Sequence, residues 1–191
     1  MPEPEAPLVV AVVGSPRPRG NTSLLVDVAL DELSRRGIRA QKAMLGERHV
    51  AGCLGHDDCA DRRACPLADA AAGILGAVYA ADGLILATPV YYENVSAQMK
   101  AFMDRNVFRY AHDERLRAKA VGLVAATAET GLDETLAALR RYVALSSDGD
   151  VPVFSVGGYA DIEGSAAEQP ELLAKVRRLA ADMAEVLLPG P

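Results

Sequence analysis

Residues 8–13, LVVAVV, form an unbroken apolar run that ends at Gly14-Ser15, the pattern of a parallel strand covered on both faces. Beyond a polar turn, Leu24, Leu25, Val28, Leu30 and Leu33 recur at mainly three- and four-residue spacing, which predicts an amphipathic helix over residues 23–36 closed by Gly37. The pattern then repeats. Strands are predicted over residues 38–45, where alternation is imperfect, and over 84–88, 120–127 and 151–157. Helices are predicted over 67–80, 97–108, 133–146 and 170–188. Strands that alternate with helices in this way predict one α/β domain over residues 8–191, a doubly wound parallel sheet of five strands, with residues 1–7 as a disordered lead-in.

Two loops of this frame carry candidate chemistry. Residues 15–23, SPRPRGNTS, join the first strand to the first helix. Backbone N–H groups and the positive end of the helix dipole meet at Asn21, Thr22 and Ser23, and Ser15 and Arg17 add donors, so the loop suits a phosphate. It lacks the Gly-Lys-Ser/Thr of a Walker loop and the G-x-G-x-x-G of a dinucleotide site. The plainer reading is a helix start with Asn21 or Thr22 as N-cap. The second loop, TPVYYENVS over residues 88–96, sets Pro89, Tyr91 and Tyr92 at the carboxyl end of the third strand, either as a flat wall for a planar ligand or as a packed turn.

In a doubly wound sheet ordered 2-1-3-4-5, ligands bind where the chain direction across the sheet reverses, between the first and third strands. Both loops converge there. An anion site beside a flat surface predicts a phosphorylated planar ligand, with a mononucleotide such as FMN the natural candidate.

Composition narrows the partners. A net charge of −6 argues against nucleic acid or an anionic membrane as the main one, and no apolar run is long enough to span a bilayer. The N-terminal MPEPEAP is unlike a signal peptide, which predicts a cytoplasmic protein. Cys53, Cys59 and Cys65 fall in one segment of little apolar periodicity, residues 46–66, and suit reduced thiols or metal ligation better than a disulfide framework. A loop of that length in a compact domain is usually functional.

Taken together, GSPRPRGNTSLL, the cysteine segment and ADGLILATPVYYENVSAQMKAFMDR resemble the NADPH-dependent FMN reductase and iron–sulfur flavoprotein branch of the flavodoxin-like superfamily. The resemblance implies a flavodoxin-like three-layer sandwich in which Ser15, Arg17, Asn21, Thr22 and Ser23 bind the FMN phosphate. Pro89, Val90, Tyr91, Tyr92, Asn94 and Val95 then line the ring, and Thr127 and Gly131 belong to a third, looser flavin loop. It further implies NADPH or NADH as donor, a flavin, quinone, nitro or azo compound as small-molecule acceptor, ping-pong hydride transfer, and a homodimer or homotetramer. No protein acid or base is required, because the flavin carries the chemistry. Lys100, Asp104 and Arg105 also recur in the pattern, the last two read as structural or interface residues.

The cysteine segment departs from that pattern. Iron–sulfur flavoproteins carry a compact run of four cysteines, and Cys53-x2-His56-x2-Cys59-x5-Cys65 places His56 in the second position. Three thiolates and an imidazole are a ligand set for a [4Fe–4S] cluster or for zinc, or the thiols remain in a loop that has lost its metal. With a cluster, the chain reads instead as an electron carrier. His49 and His112 read as surface residues.

Overall fold

The computed structural model describes residues 5–188. Five parallel strands, β1 (Leu8–Val13), β2 (Arg39–Met44), β3 (Gly83–Tyr91), β5 (Ala120–Thr127) and β6 (Val153–Tyr159), lie in the order β2-β1-β3-β5-β6. A two-residue strand, β4 (Asn94–Val95), folds back antiparallel on the end of β3. Leaving that hairpin aside, this is the expected order 2-1-3-4-5. The helices are α1 (Asn21–Arg35), α2 (Ala71–Ala80), α3 (Ala97–Asp104), α4 (Val107–Ala111), α5 (Leu132–Ser146) and α6 (Pro170–Leu187).

The alternation of side chains along a strand builds three layers. Val9, Ala11 and Val13 of β1 face Leu25, Ala29 and Leu33 of α1 and Val176, Leu179 and Met183 of α6. Val10 and Val12 face the opposite core, where Ile74 and Val78 of α2, Phe102 of α3 and Leu139 and Tyr142 of α5 are packed. The imperfect pattern of β2 has a simple cause: it is an edge strand, and its outer positions Arg39 and Gln41 are exposed.

Three expectations about element boundaries are corrected. The helix expected from residue 67 starts at Ala71, because the Asp69 carboxylate turns back to accept the N–H groups of Ala71 at 3.0 Å and Ala51 at 2.8 Å. The helix expected over 97–108 is broken between α3 and α4, where Arg105 and Asn106 are buried and drawn to different partners. Asn106 accepts from Tyr79 at 2.7 Å and donates to Ser146 Oγ at 3.0 Å, while Arg105 reaches Asp69. The third strand runs on past Thr88 to Tyr91, so the expected loop is largely a hairpin.

Of the expected lead-in, residues 1–4 lie outside the described residues; beyond them, Pro7 accepts from the Arg39 N–H at 2.9 Å and Ala6 from Arg39 Nε at 2.9 Å.

Candidate functional site

The carboxyl ends of β1 and β3 are tied together by one serine. Ser96 Oγ donates to the Gly14 carbonyl at 2.6 Å and accepts the Met99 N–H at 3.2 Å, so the residue that caps α3 also fixes the start of the β1–α1 loop. Ser96 N–H in turn bonds Thr88 Oγ1 at 3.0 Å. Gly14 is needed for this closeness: a Cβ there would lie 2.7 Å from Met99 Cβ and 2.9 Å from Ser96 Oγ. The two loops singled out in the sequence are therefore tied together at their bases, and the Ser96–Gly14 bond that joins them is buried.

In the first loop, the N-cap of α1 is Gly20, one residue before the expected Asn21 or Thr22, and it offers no side chain. The N–H groups of Asn21, Thr22 and Ser23 find no acceptor among the described residues and stand at the positive end of a 15-residue helix. Ser15 Oγ accepts the Arg17 N–H at 3.1 Å and closes the turn, while Arg17 is exposed. Two predicted side chains are committed elsewhere. Asn21 Nδ2 donates to the carbonyls of Ala160 at 3.1 Å and Ile162 at 2.8 Å, and its Oδ1 accepts the Ala166 N–H at 3.1 Å. Ser23 Oγ is buried, donates to the Pro18 carbonyl at 2.6 Å and accepts from Lys42 Nζ at 2.8 Å. From these two residues the loop keeps backbone donors, whereas the Thr22 hydroxyl takes no part in such bonds. Free helix-start amides with a nearby guanidinium fit a phosphate monoester.

The second loop presents Tyr91 and Tyr92 to solvent, at 42% and 105% exposure, above half-buried Pro89 and Val90 and buried Val95. Asn94 is exposed, and its Oδ1 accepts the Val95 N–H at 2.8 Å. Tyr92 and Glu93 form the hairpin tip with φ of 53° and 59°. The third loop stands against that tip. Thr127 Oγ1 donates to the Thr130 carbonyl at 2.8 Å, Thr130 Oγ1 donates to Glu93 Oε1 at 3.2 Å, and Gly131 packs beneath Glu93. The three predicted flavin loops are thus adjacent.

The cysteine segment is held by an ion pair that the sequence did not reveal. Arg105 and Asp69, each side chain 2% exposed, meet at 2.5 Å. The guanidinium also donates to the Ala51 carbonyl at 3.2 Å and to Cys65 Sγ at 3.3 Å, so the pair grips the segment at both ends. Burial alone raises the Asp69 carboxyl, but the bonds from Arg105, Ala51 and Ala71 outweigh it and hold the group below the usual carboxylate range. Burial, followed by the neighbouring Cys53 and Cys65 thiols, pushes the Cys59 thiol up. That thiol donates to the His56 carbonyl at 3.4 Å.

Cys53, Cys59 and Cys65 are free thiols. Among the described residues no three His, Cys, Asp or Glu side chains converge on a point where a metal ion could sit. The donor types suit a thiolate-bound metal; their placement here does not assemble one. His112 is a correction: its ring nitrogens lie 2.8 Å from the Phe108 carbonyl and 2.9 Å from the Arg62 carbonyl, so it pins the segment to α4.

Comparison with known proteins agrees with the fold and the family resemblance. The sequence profile of the NADPH-dependent FMN reductase family matches residues 7–157. An iron–sulfur flavoprotein of Archaeoglobus fulgidus is 35% identical over 176 residues, which cover 92% of this chain and 78% of the relative. Among solved structures, RosB with a bound 8-demethyl-8-formylriboflavin-5′-phosphate has a TM-score of 0.75 at 16% identity, over 95% of this chain and 79% of that one. The NAD(P)H:quinone oxidoreductase of Methanothermobacter marburgensis has a TM-score of 0.71 at 16% identity, over 93% and 97%.

Proposed function

The chain belongs to the NADPH-dependent FMN reductase family and is a flavodoxin-like FMN oxidoreductase, and from that premise we propose that it uses NADPH or NADH to reduce a quinone, flavin, nitro or azo compound by ping-pong hydride transfer. The observation that supports the proposal is the Ser96–Gly14 bond, which ties the loop that carries the free amides of α1 to the base of the hairpin that carries the exposed tyrosines. FMN, when bound, supplies the hydride chemistry.

The chain's part is to hold and orient it. The amides of Asn21, Thr22 and Ser23, the Thr22 hydroxyl and Arg17 take the phosphate; Ser15 shapes the loop that presents them. Pro89, Val90, Tyr91, Tyr92, Asn94 and Val95 flank the ring, with Thr127 and Gly131 supporting the hairpin from below. Exposed Tyr92, Tyr159 and Ile162 border the same end of the sheet and support association of copies as a homodimer or homotetramer. Among the described residues no helix is long and apolar enough to cross a membrane; the cytoplasmic location is proposed on the sequence alone.

A second reading is an electron carrier with a [4Fe–4S] cluster held by Cys53, His56, Cys59 and Cys65. It is favoured by the name of the Archaeoglobus relative and by three thiols in one anchored segment. One experiment separates the two. Protein purified without oxygen is loaded with FMN, assayed for iron, and mixed with NADPH and a soluble quinone or with reduced ferredoxin. Rapid NADPH oxidation without iron supports the reductase; stoichiometric iron and electrons accepted only from ferredoxin support the carrier. Failure to take up FMN overturns both.

A further inference from the structure

The tip of the β3–β4 hairpin is built from residues that resist their own conformation. A two-residue hairpin turn with both φ values positive is ordinarily made by Asn-Gly or similar pairs, yet Tyr92 and Glu93 occupy it at 53° and 59°. Side chains with a Cβ hold such angles only where the surroundings over-determine them. Here the surroundings are the β5–α5 loop.

Gly131, itself at φ 79°, lies so close that a Cβ on it would be 2.5 Å from Glu93 Cα and 3.0 Å from Val90 Cγ1. Thr130 Oγ1 donates to the Glu93 carboxylate at 3.2 Å, and Thr127 Oγ1 fixes the intervening turn through the Thr130 carbonyl and the Glu129 N–H. A chain of bonds thus runs from the end of β5 to the hairpin tip.

We infer that Glu93 is a positioning residue: with Thr130 and Gly131 it latches the hairpin to the β5–α5 loop, so that the wall formed by residues 89–95 is set before a flavin arrives. This rests on the FMN reading above. A glutamate in a left-handed turn serves no purpose for the turn itself, where glycine is better. Its carboxylate is the part that reaches the neighbouring loop. Preorganisation of this kind raises affinity by removing the ordering cost of binding.

The test is FMN affinity, by fluorescence quenching, together with the melting temperature of the FMN-free protein. Glu93→Ala is expected to weaken FMN binding about fivefold, the loss of one hydrogen bond, with the apo melting temperature unchanged. Thr130→Ala should do the same, and the double variant should be no worse than either single one. Glu93→Gln, which keeps the acceptor, should restore wild-type affinity. Glu93→Gly is the sharpest variant: relieved of strain it should melt no lower than wild type, yet bind FMN as weakly as Glu93→Ala.

Wild-type affinity in Glu93→Ala and Thr130→Ala, or additive losses in the pair, would overturn the latch. An equal fall in apo melting temperature and affinity would reduce it to general stability and also overturn it. If wild-type protein takes up no FMN, the flavin reading itself has failed.

Discussion

A buried arginine decides more about the cysteine segment than the cysteines do. Removing one partner from the Arg105–Asp69 pair leaves an uncompensated buried charge, so Arg105→Ala should cost about 3–5 kcal/mol in urea unfolding. The Asp69 carboxyl is held below its ordinary range, so the unfolded chain takes up its proton first as pH falls. The stabilisation is complete above the ordinary aspartate value of about 4 and is lost below it, through the lowered folded value. Wild type and Asp69→Asn should therefore converge in stability as pH drops under about 4, and parallel curves would refute the assignment. Among the thiols, Cys59 is buried at 7% exposure and kept protonated, so iodoacetamide at neutral pH should reach Cys53 and Cys65 first, read by peptide mass. The family pattern marks Arg105 as a structural or interface residue, but spacing does not reveal its partner Asp69, which lies 36 positions away. His112 was misread for the same reason, since the carbonyl that receives it is 50 positions distant.

At the scale of elements, the sequence was most informative where one local pattern sufficed. The apolar run of β1 and the three-four spacing of α1 followed from periodicity, because buried faces leave a regular signature, whereas the strand order came from the doubly wound fold that the strand–helix alternation and the family resemblance imply. The break between α3 and α4 did not, because Asn106 looks like any helix residue until Tyr79, Tyr142 and Ser146 surround it. Nor did the β3–β4 hairpin, whose tip lacks the glycine that marks such turns. The start of α1 shows both sides: the loop was recognised, but the Asn21 carboxamide binds protein instead of lying open. Asn21→Ala should lower stability by about 1–2 kcal/mol through its lost bonds to residues 160–166, measurable by urea titration. It should leave the helix-start amides able to bind phosphate.

For the whole molecule, a ligand that binds only the folded chain adds its binding free energy to stability. FMN at a hundred times its dissociation constant should contribute about 2.7 kcal/mol. For a chain of 191 residues that is a rise of about 5–10 °C in melting temperature. No rise would contradict a preformed site. The same coupling has an address. Asn21 stands in the first turn of α1, where the phosphate is expected, and also fastens the exposed stretch that contains Asp161, Ile162 and Glu163. That stretch is therefore a natural reporter of occupancy: a glutamate-specific protease should nick the chain at Glu163 more slowly once the crevice is filled, so a gel band can read what happens at the opposite end of one asparagine.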